Sequence, residues 1–456
     1  MCAVIKLLSQ HQKQEYMPAT SFLIRPSLST DELREHIQGY VEVAQSFSPD
    51  PLPPDTEQRL LNRLTSLPGY REEQVRNAYR DGKQVGGYRI YERILRVGAA
   101  GLVTGCIGGV YTRAEARNQG VATALMHDAL AYAQAHDYAL LLLDGIPKFY
   151  HRYGYCDVYD LTTQQLDRQA ILALPQSPYT IRRATTNDAA NLLALYKQQF
   201  GPYIGSFERS VEQQAHWIQH LELERLLLAV DSTDQVKGYL FLATTQARGN
   251  FFLTGTQLWE MVVDDWPAAV ALLQRHAQMA KGREGEATSE SFLYSVPPGS
   301  PVAQWMAEHL EVVDISTWDA PVFGWAVREQ TFRHCNAAWM ARLVSLPALT
   351  RAMLPEWQAR WQRSLAHWSG DISLAAGDEA FTLHIADANL QLLHAPGSTA
   401  TALSLTPQAF TQVVFGYRSI NRVLEQHGHT LPDDLATVLT ILFPGGQSWI
   451  PASDWF

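Results

Sequence analysis

Residues 110–122, VYTRAEARNQGVA, constrain this chain more than any other stretch. An apolar run over 102–110, carrying Gly105, Gly108 and Gly109, leads into it. Apolar residues then recur at Val121, Ala122, Leu125, Met126, Ala129 and Leu130, the spacing of one helix face. The segment therefore reads as strand, tight turn, helix, with Arg117, Asn118, Gln119 and Gly120 at the turn. A helix N-terminus presents unpaired backbone N–H groups and the positive end of the helix dipole, so it favours an anion. Gly120 lets the backbone approach a bulky ligand, and Arg117 adds a permanent charge. Together they make a cradle for a diphosphate. Strand–turn–helix units with a glycine are common, and an arginine at a turn is ordinarily just solvated. What sharpens the reading is the whole pattern V-x-T-x-x-x-x-R-x-x-G-x-A. It is neither a G-x-G-x-x-G fingerprint nor a P-loop, because no Gly-Lys-Ser/Thr follows.

A chain of 456 residues predicts two to four domains. With 46% hydrophobic and 18% charged residues it has the composition of a soluble protein with real cores. The net charge of −10, with no run rich in Lys or Arg, argues against non-specific nucleic-acid binding. An acidic surface would steer a cationic substrate, although plain solubility explains any single carboxylate. Cys2, Cys106, Cys156 and Cys335 are scattered, so free thiols in a reducing cytoplasm are expected, with no disulfide and no metal site. No apolar stretch approaches a membrane span. The start is too polar after Leu8 for a signal peptide, and residues 1–20 are expected to be a flexible tail.

Taken in order, 22–26 reads as a strand, 31–44 as a helix and 48–55 as a Pro-rich connection, followed by helices at 57–67 and 72–79. Residues 86–96 and 102–112 read as adjacent antiparallel strands, 119–135 as a helix and 138–143 as a buried strand. At 146–155 (IPKFYHRYGY), Pro147 suits the first turn of a short helix and Gly154 ends it. Phe149 and Tyr153 are expected to pack on the sheet. A second unit begins at Tyr179. Ile181-Arg182-Arg183 with Asp188 repeats Ile24-Arg25-Pro26 with Asp31 at the same separation, and a helix at 189–199 follows. Strands are expected at 226–230, 238–243, 258–263 and 291–295, a helix at 268–278 and a loop at 281–290. In this copy Asp264 and Asp265 stand at the turn, where they suit a helix N-terminus and would repel a diphosphate. A Trp-rich helix over 338–361, short strands over 371–405, and helices at 406–415 and 420–427 complete the chain.

The pattern at 110–122 resembles the acyl-CoA-binding motif of the GNAT acetyltransferases, with Arg117, Gly120 and Ala122 in its fixed places. The third region loosely resembles a sterol-carrier-like domain. Two such units and a sterol-carrier-like unit form the layout of the Eis-like (enhanced intracellular survival) acetyltransferases, and this resemblance spans nearly the whole chain. It rests on the CoA motif, the F-Y-x-R-Y-G-Y segment at 149–155 and a chain that ends in Phe. It implies an α/β (α+β) architecture: a GNAT catalytic domain at 21–175, a degenerate GNAT-like domain at 176–330 and a sterol-carrier-like domain at 331–456. Acetyl-CoA as co-substrate is implied to contact Val110, Tyr111 and Thr112, the turn and helix start Arg117, Asn118, Gln119, Gly120, Val121, Ala122 and Thr123, and, less closely matched, Gly145 and Ile146. Tyr150 is implied as general acid and the carboxylate of Phe456 as general base. Homohexamers acetylating amines such as aminoglycosides, polyamines or lysine side chains are further implications.

The chemistry agrees with those residues. An amine of pKa near ~10 must lose a proton before attacking a thioester, and a thiolate of pKa about 8.5 benefits from a donor as it leaves. No covalent nucleophile is needed, which suits the absence of a Ser-His-Asp or Cys-His pattern. Should the terminal carboxylate not serve, Asp454 or a side chain acting through water is the next candidate base. A contrasting reading is a non-catalytic protein that holds an apolar ligand in the third region and is regulated by bound CoA. Amine-dependent release of thiol separates the two.

Overall fold

The computed structural model describes residues 22–46, 51–146, 148–159, 161–221, 226–242, 257–279, 291–297, 299–310, 331–334, 339–393, 401–446 and 448–456. The expected tail at 1–20, the loop at 281–290, Pro147, Cys2 and Cys335 lie outside them. The first region holds β1 (Leu23–Pro26), α1 (Thr30–Ser46), α2 (Thr56–Thr65), β2 (Val75–Arg80), β3 (Lys83–Val97), β4 (Ala100–Thr112), α3 (Val121–Ala135), β5 (Leu140–Asp144) and β6 (Cys156–Asp157). The second runs through β7 (Leu161–Asp167), α4 (Arg168–Ala173), β8 (Thr180–Arg183), α5 (Ala189–Phe200), α6 (Val211–Gln219), β9 (Leu226–Val230), β10 (Val236–Leu242), β11 (Gln257–Val263), α7 (Trp266–Met279), β12 (Ser291–Ser295), α8 (Pro301–His309) and β13 (Thr331–His334). The third holds β14 (Trp339–Leu343), α9 (Leu346–Arg363), β15 (Gly370–Ala376), β16 (Glu379–Ala386), β17 (Asn389–Leu393), β18 (Thr401–Leu405), α10 (Pro407–Val414), α11 (Ile420–Gln426) and α12 (Asp433–Leu442).

Two seven-stranded sheets repeat one plan, in the orders β1-β2-β3-β4-β5-β14-β6 and β13-β7-β12-β11-β10-β9-β8. In each, an antiparallel run ends in one parallel pair, β4 with β5 and β11 with β12, joined through a crossover helix. The two sheets trade strands. β7, close in sequence to the first sheet, pairs between β12 and β13 in the second. β14, from the third region, fills the gap between β5 and β6 in the first. The third sheet is smaller, β17-β16-β15-β18. Its apolar residues Ile372, Leu374 and Leu383 share one core with Trp357 of α9 and Phe410 of α10.

Two expected helices are replaced by strands. Residues 72–79 form one short turn and then β2, because Val75 to Arg80 pair with β1 on one side and β3 on the other. The helix expected over 338–361 starts only at Leu346, since β14 is claimed by the partners on both its edges. In both places sheet pairing overrides local preference.

The first two units meet edge to surface. Leu95 of β3 bridges Phe207, Arg96 N–H donates to the Ser206 carbonyl at 2.8 Å, and Glu208 N–H donates to the Ile94 carbonyl at 2.9 Å. The C-terminal segment continues this seam. Ser448 bridges Ile204, and Trp449 N–H donates to the Ile204 carbonyl at 2.9 Å.

Two buried histidines make the fold sensitive to acid. Burial lowers the His36 pKa to about 3 and that of His276 to about 4. In the unfolded chain both titrate near ~6.5. Their contribution is therefore complete above that pH and is lost as pH falls, by about tenfold in the folding constant per pH unit for each histidine. In urea titrations at pH 7 and pH 5, His276→Phe should lose about tenfold less stability per unit than the wild type. Equal losses would show that His276 is not linked to folding.

Candidate functional site

The site begins where β4 and β5 part. They pair only over 104–107 with 140–143, so beyond Ile107 the β4 backbone has no strand on its β5 side. On its other edge the β3–β4 register shifts between Gly87↔Tyr111 and Arg89↔Gly108. Gly109 absorbs the extra residue with φ +61°, a conformation that favours glycine. Val110, Tyr111 and Thr112 continue past this bulge. Tyr111 is buried and its hydroxyl accepts from Gln84 Nε2 at 2.5 Å, so the strand's direction is held from within.

The strand leads to the turn at 117–120. Gly120 is the N-cap of α3 with φ +86°, and no side chain caps the helix. A Cβ placed on Gly120 would meet nothing within 4 Å. Arg117, Asn118, Gln119 and Gly120 are exposed. Arg80 reaches the turn as well, donating to the Gln119 amide oxygen. Val121 is buried and seats the helix, while Ala122 and Thr123 bring two further first-turn N–H groups. Thr123 Oγ1 lies 3.1 Å from the Tyr153 hydroxyl, tying α3 to the aromatic segment. An uncapped helix start, open above its glycine and flanked by Arg117 and Arg80, fits a diphosphate. The equivalent place in the second sheet differs. There Asp265 Oδ1 accepts from Ala268 N–H at 2.9 Å, and Asp265 Oδ2 accepts from the Tyr179 hydroxyl at 2.8 Å. A carboxylate of the protein already occupies that N-terminus.

The second wall follows β5. Tyr150 opens a short helix, Tyr150–Tyr153, which Gly154 ends in the left-handed region. Its ring lies against Gly145 so closely that any Cβ there would displace it. Phe149 and Tyr155 meet it edge-on at 4.9 Å and 6.1 Å between centroids. Burial, reinforced by Tyr153 and Asp144, raises the Tyr150 pKa. Asp144 ends β5 with an exposed side chain. Crowding by surrounding protein raises its carboxyl to about 7, an effect that water reaching the exposed group weakens. Ile146 is exposed at the lip.

The C-terminus reaches this place from the other face. The carboxyl carbon of Phe456 lies 3.6 Å from where a Gly108 Cβ would be. The Phe456 ring contacts Trp339 of β14 at 5.3 Å, Tyr91 of β3 at 6.3 Å and Phe207 at 6.4 Å. Two residues earlier, Asp454 is buried. Its Oδ1 accepts from Arg209 Nε at 2.9 Å and Nη2 at 2.5 Å, and its Oδ2 accepts from the Tyr196 hydroxyl at 2.5 Å and Phe207 N–H at 3.2 Å. Ser453 donates from N and Oγ to Glu260, both at 2.9 Å. Asp454 is thus engaged as an anchor, whereas Phe456 is presented at the strand.

The gap where β4 and β5 part is thus bordered by the β4 strand leading into 110–123 and by Gly145 with Tyr150 after β5, and Phe456 lies at Gly108. Sequence reasoning passed over Arg209 and the arginines of β3. The alternating Arg89-Ile90-Tyr91-Glu92-Arg93 was the available signal, since a strand sends those three odd positions to one face. Among the described residues there is no group of three His, Cys, Asp or Glu side chains that could hold a metal ion. No helix among them is long and apolar enough to cross a membrane.

Comparison with known proteins agrees with this geometry. Residues 34–157 match the acetyltransferase (GNAT) domain. No curated protein sequence matches the chain. Among solved structures, a GCN5-related N-acetyltransferase from Kribbella flavida is 18% identical with a TM-score of 0.67, covering 96% of this chain and 100% of its own. A GCN5-related N-acetyltransferase from Anabaena variabilis ATCC 29413 is 16% identical at 0.65, with the same coverage. Eis1 from Mycobacterium abscessus is 15% identical at 0.57, covering 95% of this chain and 100% of its own. The first region carries a GNAT acetyltransferase domain, and the chain shares its fold with these proteins along almost its whole length.

Proposed function

We propose that this chain is an acetyl-CoA-dependent N-acetyltransferase of the Eis-like kind, moving an acetyl group to a primary amine by direct attack on the thioester. The observation that carries the reading is the Phe456 carboxyl beside Gly108, at the point where β4 leaves one edge unpaired. The turn at Arg117 to Gly120 holds the diphosphate, and the free edge at Val110 to Thr112 holds the extended arm of the co-substrate. The acetyl carbonyl then lies between Phe456 and Tyr150. As the C–N bond forms and the C–S bond breaks, the amine proton passes to the Phe456 carboxylate. The Tyr150 hydroxyl donates to the departing thiolate. Burial keeps that phenol protonated and ready as a donor. The Phe456 ring, packed against Tyr91, Phe207 and Trp339, fixes where that carboxylate stands. By the same resemblance the active form is a cytoplasmic homohexamer. The binding-protein alternative draws less support, since the third sheet's apolar face is filled by its own helices.

One acetyl-CoA per chain is expected, since Asp265 already caps the corresponding helix in the second unit. Calorimetry should give a stoichiometry of one, and Gly120→Glu should abolish binding by placing an anion in the cradle. Two sites per chain would overturn this assignment.

The two proton-handling groups are separable. Tyr150→Phe should keep acetyl-CoA affinity and lower kcat by about 10²- to 10⁴-fold, the usual range for a general acid. Appending residues after Phe456 should nearly abolish turnover with binding intact, whereas Phe456→Ala keeps a terminal carboxylate and retains part of the activity. An extended chain with normal kcat would remove the carboxylate from the mechanism.

A further inference from the structure

The face of β3 that looks into the cleft is basic, although the protein as a whole is acidic. Arg89, Tyr91 and Arg93 stand at alternate positions, so they share that face. Arg89 is only 7% exposed, its Nε has no hydrogen-bond partner, and its guanidinium presses on Gly109 at the bulge. It stacks over Tyr40 of α1 at 4.9 Å and lies 5.9 Å from the Tyr91 ring, the same ring that meets Phe456. Arg93 stacks over Phe207 at 5.5 Å, another neighbour of Phe456. Arg63 of α2 is exposed and near enough to Arg89 and Arg93 to feel their charge. Although part of it reaches solvent, burial lowers its pKa, and Arg89 and Arg93 lower it further. Among the described residues none of these three arginines has a carboxylate within ion-pair distance. Of the three, Arg89 is the buried one, and a buried cation left without a carboxylate is costly. Aromatic faces repay only part of that cost.

Two acidic groups border this cleft. They are the Phe456 carboxylate at Gly108 and Asp144 beside Tyr150. Asp454 is consumed by Arg209, and Glu92, which the strand sends to the other face, by Arg71 and Tyr138. The Arg89 guanidinium at Gly109 and the Phe456 carboxyl at Gly108 thus stand at neighbouring residues of β4.

We propose, building on the acetyltransferase reading, that the acceptor is an anionic amine, whose carboxylate or phosphate seats among Arg63, Arg89 and Arg93 while its amine faces Phe456. Such an acceptor supplies the charge the arginines lack, with charge-assisted hydrogen bonds to planar guanidinium groups. The arginine field also favours the neutral, attacking form of the amine over the ammonium. A polycation such as an aminoglycoside or polyamine would bring like charge against three arginines, and like-charge contacts disfavour binding.

The test compares thiol release with 6-aminohexanoate and O-phosphoethanolamine against cadaverine and kanamycin. At least one anionic amine should exceed both cations tenfold or more in kcat/KM, and which of the two leads identifies the anion as carboxylate or phosphate. Arg89→Gln and Arg93→Gln should each lower that kcat/KM by about 10- to 100-fold, the range for losing one charged hydrogen-bond partner, chiefly through KM. They should leave the thermal midpoint unchanged or higher, because an unpaired charge is removed. Arg89→Lys should restore part of the loss. Calorimetric titration of the same amines onto the CoA-bound protein reads the preference without turnover. No thiol release with any amine would sink the acetyltransferase reading, while the titration still decides the charge preference. Tighter binding of cadaverine or kanamycin, or equal losses for both classes in Arg89→Gln together with a lower thermal midpoint, would overturn the proposal.

Discussion

The buried pair between Arg209 and Asp454 is the contact on which the cleft depends. Both side chains are almost wholly removed from water, at 5% and 0% exposure. Taking two ions out of water is expensive, and their attraction offsets it only when the remaining donors and acceptors are also satisfied. Here they are: Arg209 further donates to Gln214 at 3.0 Å and to Ser453 Oγ at 2.8 Å, and Asp454 accepts from Tyr196 and Phe207. A hydrophobic replacement would hold the tail as tightly but with less direction. What the pair contributes is a fixed register for the last residues, two positions before the chain ends. Residues 453–456 are thereby held by the second unit with Phe456 against β4 of the first.

The second unit, whose corresponding helix start is capped by Asp265, supplies that anchorage. Its β11 places Glu260 to receive Ser453, and the segment after α5 supplies Phe207 and Arg209. The traded strands serve the same end. β14 brings Trp339 beside Phe456 while completing the first sheet, and β7 fixes the first unit against the second. Separating the units would take away both the wall and the terminal residue of the cleft.

Much of this was legible in the chain and some was not, for physical reasons. The motif at 110–122 marked the strand, turn and helix because glycine, arginine and apolar spacing act locally. The internal repeat was visible in the same way, through two strand–Asp–helix starts. The strand exchange was invisible, since β7 and β14 carry no local sign of which sheet will receive them, and β2 was mistaken for helix because only its neighbours make it a strand. Tyr150 could be placed from its aromatic segment. The placement of Phe456 at Gly108 follows from the Arg209–Asp454 pair, 245 residues apart in sequence, and no local pattern reports such a pairing.

Charge makes the final distinction. The net charge of −10 suggested attraction for cations, yet the field that an acceptor meets is set by the groups lining a cleft of low dielectric, not by the sum over the surface. Surface carboxylates are screened beyond about 8–10 Å at physiological salt. Arg89, buried against the bulge with Tyr40 above it, is screened far less. The bulge and the arginine are coupled: any side chain on Gly109 would collide with the guanidinium, so the bulged backbone also seats the cation. One local distortion of a strand thus holds a buried cation beside the point where β4 loses its β5 partner.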